Sequence, residues 1–200
     1  MNKIKNASNI ELLEYYDIQE EELYKNKNTM PSSAYAIIEI QGKFLIGYNK
    51  YREQWEFPAG KIESGELAIE AARRELYEET HQIVDKLNFC GMFKIYDKTK
   101  KEYRFRAVYN GQVDSLMEFD AWENDEMLSV RVWDFCDKSI YVDQVDTKMV
   151  EILMQKNRIQ MKTMIDYNVL KIYLMYSRRI LMVNSSFYIM GNIIEEQAMI

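Results

Sequence analysis

The chain has 200 residues, 48% apolar and 29% charged, which is enough for one compact domain with a real core plus extensions. With 32 acidic against 26 basic residues the net charge is −6, which argues against a general nucleic-acid binder but not against a small phosphorylated ligand neutralised by a metal. Cys90 and Cys136 are too few for a disulfide scaffold or zinc cluster, the lysine-led N-terminus turns acidic too early for a signal peptide, and no apolar run reaches the length of a membrane span. A cytoplasmic protein with no membrane partner is the expectation. In chain order, Ile10, Leu12, Leu13, Tyr16 and Leu23 carry a helical pattern, so residues 1–32 read as an N-terminal helical arm, punctuated by Pro31-Ser32-Ser33. Ala34 to Ile40 and Phe44 to Tyr48 read as strands joined by a Gln41-Gly42-Lys43 hairpin turn. From Glu66 to Glu79 apolar Leu67, Ala68, Ile69, Ala71, Ala72 and Leu76 alternate with charges at helical spacing, behind a cap expected at Ser64-Gly65. Phe89 to Tyr96 and Tyr103 to Tyr109 make a second hairpin. An acidic loop, Glu118 to Glu126, leads to a strand at Val130 to Phe135, and Asp146 to Gln160 reads as a closing helix. Met161 to Tyr176 fits a helix, whereas Ile180 to Met190 fits a strand or a buried helix equally. The methionines that gather from Met154 onward suit adaptable apolar contacts, either a homodimer interface or lid, or, as the preferred reading, a helix pair over the domain's own flank.

The chemistry concentrates in the central helix. Glu75 and Glu79, four apart, share one face, and Glu78 flanks the same edge. Like charges this close repel by a few tenths of a kcal/mol per pair, roughly, unless a cation sits between them. Oxygen-only ligands without His or Cys favour Mg2+, with Mn2+ as the alternative, over zinc. Read without its surroundings, the same segment is an ordinary solvated helix with i,i+4 pairs such as Arg74–Glu78.

The surroundings decide between the two. Gly60, five residues, Glu66, seven residues, then Arg74-Glu75-Leu76, one residue and Glu78-Glu79 resembles the Nudix box, and Trp55-Glu56-Phe57-Pro58-Ala59-Gly60-Lys61 resembles the LEFPGGK entry of MutT-type members. His81 stands where that family has the glycine that ends the helix in a left-handed conformation, a conformation histidine tolerates better than most residues. The resemblance implies an α+β fold, the Nudix-type α/β/α sandwich around a mixed sheet, over residues 33–158, with 159–200 a C-terminal extension. It implies metal ligation by Glu75, Glu78, Glu79 and the Ala59 carbonyl, with Arg74 orienting the glutamates. Glu66 reads as a brace for the loop. Glu126, ahead of rivals Asp125 and Glu123, stands where the family carries a further carboxylate as ligand or general base.

Tyr35 and the Asp143-Gln144 pair are the expected lining of a nucleotide pocket. No proline follows Pro58, which disfavours the ADP-ribose-cleaving relatives, and coenzyme A and NADH signatures are absent. The resemblance therefore implies a MutT-like hydrolase that converts a nucleoside triphosphate to a monophosphate and pyrophosphate. Its alternatives are a nucleotide-sugar or dinucleotide pyrophosphatase and a non-catalytic nucleotide sensor. Sensors typically lose box glutamates, and Glu66, Glu75, Glu78 and Glu79 are all present. RNA decapping would want a basic groove that the acidic balance does not provide.

Overall fold

Among the residues described in the computed structural model, 4–156 and 158–159, the strands join into one mixed sheet. The strands are β1 (Ile4–Lys5), β2 (Ile10–Tyr16), β3 (Ser33–Ile40), β4 (Lys43–Asn49), β5 (Gln54–Glu56), β6 (Ala59–Lys61), β7 (Asn88–Asp97), β8 (Glu102–Gln112) and β9 (Met127–Trp133). Two helices, α1 (Ala68–Thr80) and α2 (Gln144–Gln155), complete it. The sheet runs β1-β2-β7-β8-β3-β4-β5, with β3 parallel to β8 and the other pairs antiparallel.

Two hairpins form where turn chemistry asks for them. Gln41 and Gly42, at φ 51° and 78°, make the tight turn between β3 and β4. Alternation along β3 then sorts the layers. Ala34, Ala36, Ile38 and Ile40 share a core with Ala68, Ala71, Ala72 and Leu76 of α1, whose small side chains let the helix lie close to the sheet. On β8, Phe105, Ala107 and Tyr109 face the same way, whereas Arg106 between them pairs with Asp146 of α2. The two helices therefore cover opposite faces, as the expected sandwich requires.

The sheet splits where the site is built. β3 and β4 pair only at Glu39–Ile40 against Phe44–Lys43. Beyond that, β3 takes β6 as its partner and β4 takes β5 and β9. Residues 54–61 fill the wedge between them, and the Ala36 N–H donates to the Pro58 carbonyl at 2.9 Å.

The N-terminal arm differs from expectation. Ile10–Tyr16 is a strand paired with β7, followed only by short 3-10 turns at Glu20–Glu22 and Lys27–Thr29. The apolar spacing there fits either period, and the open hydrogen-bonding edge of β7 decides it. Helix α1 starts at Ala68 with Leu67 at the capping position, later than the expected Ser64-Gly65 cap. The Glu70 carboxylate accepts the Leu67 N–H at 2.8 Å and the Tyr24 hydroxyl the Ala68 N–H at 2.8 Å, so other groups do the capping. Helix α2 is shifted towards the N-terminus of its expected span, because Asp143 caps it from Gln144 onward. The segments Met161 to Tyr176 and Ile180 to Met190 lie outside the described residues. None of the described helices is long and apolar enough to cross a membrane.

Candidate active site

Residue Arg74 organises one side of the site. Its guanidinium donates to both Glu66 oxygens at 2.9 and 3.0 Å, to Glu75 at 2.7 Å, to Glu78 at 2.9 Å and to the Lys61 carbonyl at 2.9 Å. Glu66 lies before the helix, not on it, and its third bond, from the Glu63 N–H at 2.9 Å, ties it to the loop. The bonds to Arg74 hold the Glu66 carboxyl below the ordinary range, and the same bond, seen from the other side, raises the Arg74 guanidinium. Arg74 thus fixes the box loop and two glutamates in one frame.

The box glycine turns out to be a matter of space. Gly60 is not in the left-handed region, and a Cβ there would lie 2.0 Å from the Glu75 Cδ. The Glu75 carboxylate is seated in the space that the missing side chain leaves. On the next turn Glu79, only 4% exposed, accepts the Ala59 N–H at 2.9 Å. Burial pushes the Glu79 carboxyl well above the ordinary range, the Ala59 N–H pulls it back, and Glu126, Glu56 and Glu75 raise it again. Burial likewise raises Glu75, against the pull of Arg74.

The tightest carboxylate group is Glu56, Glu79 and Glu126, whose ligand oxygens lie within 4.8 Å of one another. Glu126 reaches it from the acidic loop, while its neighbour Asp125 is exposed. Asn124 sets that geometry: its amide donates to the Glu78 carbonyl at 2.6 Å, and its carbonyl oxygen accepts the N–H groups of Glu126 at 3.0 Å and Met127 at 2.6 Å. Of the carboxylates expected as ligands, Glu79 belongs to the group, Glu75 lies beside it at Gly60, and Glu78 faces outward with a side chain 54% exposed.

Glu56, Asn49 and Asn124 are the members that sequence reading missed. Glu56 carries a signal, a carboxylate between apolar Trp55 and Phe57 in a short strand, that the resemblance of the lead-in alone does not assign to the site. Burial raises its carboxyl, and Arg52, Gln54 and Asn49 lower it. A hard oxygen-only set with buried, mutually repelling members suits a divalent cation of the Mg2+ or Mn2+ type.

A cleft of about 510 Å³ runs from Ala59 and Gly60 past Glu56 to Tyr35, Arg106 and Asp143. Tyr35 lies in the sheet with the Arg106 guanidinium over its ring at 5.0 Å. Asp143 lines the cleft, but its oxygens are engaged. Oδ1 caps α2 through the N–H groups of Val145 and Asp146, and Oδ2 accepts from Asn6 at 2.7 Å and Gln54 at 2.9 Å. The structure thus brings Tyr35, Asp143 and Ala59 to one cleft, and Glu79 and Glu126 to Glu56 at its wall, while Arg74, Glu75 and Glu78 stay together on α1.

A family model for the NUDIX domain matches residues 31–149. The putative 8-oxo-dGTP diphosphatase YtkD of Bacillus subtilis is 40% identical over 86 residues, 43% of this chain and 52% of that protein. The 8-oxo-dGTP diphosphatase of Buchnera aphidicola is 46% identical over 65 residues, 32% of this chain and again 52% of that protein. The matches thus span about half the length of these curated relatives. In three dimensions the Bacillus subtilis pyrophosphohydrolase BsRppH (an E68A mutant) superposes with a TM-score of 0.59 at 22% identity, covering 79% of this chain and 96% of that one. A MutT Nudix hydrolase from Burkholderia pseudomallei gives 0.52 at 18%, covering 60% and 94%. With the glycine–glutamate seat, the arginine frame and the split sheet all within the matched span, the chain belongs to the Nudix family.

Proposed function

We propose that this protein is a divalent-metal-dependent pyrophosphohydrolase acting on a nucleoside triphosphate, with Mg2+ as its ion and a monophosphate and pyrophosphate as its products. The observation that carries this reading is the group of Glu56, Glu79 and Glu126 oxygens, of which Glu56 borders a cleft that Tyr35 and Arg106 also line. Cleaving a phosphoanhydride needs charge neutralisation, an aligned water and a proton acceptor. The bound ion supplies the neutralisation and eases deprotonation of the water. Glu56, Glu79 and Glu126 would hold it, with Glu75 beside them and the Ala59 carbonyl as the main-chain ligand. Glu126, the more exposed member of the group, would also take the proton of the attacking water, through the oxygen that it does not give to the ion. Arg74 keeps Glu75 and Glu78 from repelling one another apart. Tyr35 and the Asp143 end of the cleft receive the nucleoside, Asp143 through the residues it positions.

The 8-oxo-dGTP diphosphatase relatives favour a purine triphosphate, oxidised or not. RNA pyrophosphohydrolases also match, but one of them over only 33 residues, 16% of this chain, which is little more than the box. The deciding experiment incubates the protein and Mg2+ with nucleoside triphosphates, 8-oxo-dGTP, ADP-ribose, dinucleotides and 5′-triphosphorylated RNA, resolving pyrophosphate from phosphate. Pyrophosphate with a monophosphate is the expected result. Inertness towards all of them with tight binding of one would make the protein a sensor.

A further inference from the structure

The acidic group already contains a cation. Arg52, on the β4–β5 turn, pairs with Glu56 through Nη1 and with Glu126 through Nη2 at 3.3 Å, so its guanidinium spans two of the three clustered carboxylates. Asn49 builds the arrangement around it. Its amide nitrogen donates to Glu56 and to Glu126, each at 2.6 Å, and its carbonyl oxygen accepts the N–H groups of Tyr51 at 3.0 Å and Arg52 at 3.1 Å. One asparagine thus fixes both glutamates and the backbone from which the arginine reaches them.

Burial is unequal across this pair. The Glu56 side chain is 7% exposed and the Arg52 side chain 47%. The carboxylate cannot leave, and without a positive partner it would be a buried, unpaired charge. The guanidinium can leave, because it stands on an exposed turn and lines the same cleft as Ala59, Gly60 and Lys61. Glu56, Glu79 and Glu126 would turn their oxygens to a divalent ion, whose charge would repel a guanidinium a few ångströms away. The planar fork that fits a carboxylate also fits a phosphate. Arg52 and Glu56, the clustered carboxylate it pairs with, line the same cleft.

We propose that Arg52 is an exchangeable counter-ion: it competes with the divalent cation for Glu56 and Glu126 and, displaced by it, grips the phosphate chain of the substrate. The second half rests on the pyrophosphohydrolase reading; the first does not. A merely structural brace would act the other way, since its removal would splay the carboxylates and weaken metal binding.

The test uses the whole chain and two titrations that need no turnover. Mn2+ is titrated into wild type, Arg52→Gln and Arg52→Lys, with thermal melts to confirm folding; inorganic pyrophosphate is then titrated at saturating Mn2+. Arg52→Gln is expected to bind Mn2+ about tenfold more tightly and pyrophosphate about tenfold or more weakly. Arg52→Lys, which keeps the charge but not the fork, should bind Mn2+ nearly as wild type does and pyrophosphate at least severalfold more weakly. Unchanged or weaker Mn2+ binding in a folded Arg52→Gln protein overturns the competition, and unchanged pyrophosphate affinity overturns the grip. Failure of every nucleotide to be hydrolysed by wild type would refute the proposed activity instead, and leaves the Mn2+ result decisive for the counter-ion.

Discussion

Replacing Gly60 by alanine isolates the role of the seat behind Glu75. The new Cβ would stand 2.0 Å from Cδ and 2.1 and 2.3 Å from the two oxygens of that carboxylate. Carbon atoms pack at about 3.5–4.0 Å, so the carboxylate must retreat by roughly 1.5 Å. The backbone can accept alanine, because Gly60 is not in the left-handed region. The stability cost is therefore confined to the Glu75 side chain and its bond to Arg74, about 1 kcal/mol. In a protein this size that lowers Tm by about 2–4 °C. Activity should suffer far more. A misplacement of about 1 Å in a reacting assembly costs on the order of 100-fold, equivalent to about 2.7 kcal/mol of transition-state stabilisation. Measuring kcat/KM for pyrophosphate release with Mg2+, alongside a melt, separates the two effects. Near wild-type turnover in Gly60→Ala would show that Glu75 need not sit there and would refute the seat as a catalytic requirement.

Glu126→Gln should lower turnover by about 10²–10⁴-fold with the melt almost unmoved, since a proton acceptor is lost while shape is kept; unchanged activity in the folded variant would remove Glu126 from the mechanism. His81 closes α1 at φ 56°, so His81→Asn should stay within about 0.5 kcal/mol of wild type. His81→Val, β-branched in that conformation, should cost about 1–2 kcal/mol by denaturant unfolding, and equal stability of the two would contradict the left-handed cap. Glu79 binds its proton more tightly folded than unfolded, so its contribution to metal-free stability is present at low pH and lost as pH rises from the unfolded value of about 4.3 through the raised folded one. In a chelator, the melting temperature of wild type should therefore fall relative to that of Glu79→Gln as pH is raised from about 5 to 8, and Mg2+ should reverse the trend. A pH-independent difference would sink that linkage.

The half of the site carried on α1 was legible because helical spacing is local: Arg74, Glu75, Glu78 and Glu79 fall on one edge whatever the rest of the chain does. The strands at Ala34 to Ile40 and Phe89 to Tyr96 were legible for the same reason, through alternation and turn residues. What could not be read depends on where distant strands part. Glu56 and Asn49 meet Glu126 only because β4 leaves β3 after one short stretch of pairing and takes β5 and β9 instead. No residue pattern announces that split. Glu78 shows the opposite limit, since spacing put it with Glu75 and Glu79, but its side chain turns out to Arg74. The β2 strand is not legible, because its apolar spacing serves two periods and only its pairing with β7 chooses. Asp143 borders the cleft as its position suggests, yet its oxygens cap α2 and hold Asn6 and Gln54.

Two arginines meet the same carboxylate belt and are built for opposite tasks. Arg74 is 26% exposed in its side chain and bonds three glutamates and a main-chain carbonyl from several directions. Removing any one of those partners leaves the others in place, so an arriving cation cannot dislodge it without breaking the frame that seats Glu75. Arg52 touches only Glu56 and Glu126 in that belt, stands on a turn, and keeps nearly half of its side chain in solvent. Both of its partners are members of the group that would hold the ion, so binding the ion and keeping Arg52 in place are competing demands. A site that must gather negative oxygens before its ion arrives, and present positive charge to phosphate afterwards, needs one fixed guanidinium and one movable one. The unequal burial and partner sets of Arg74 and Arg52 supply that division.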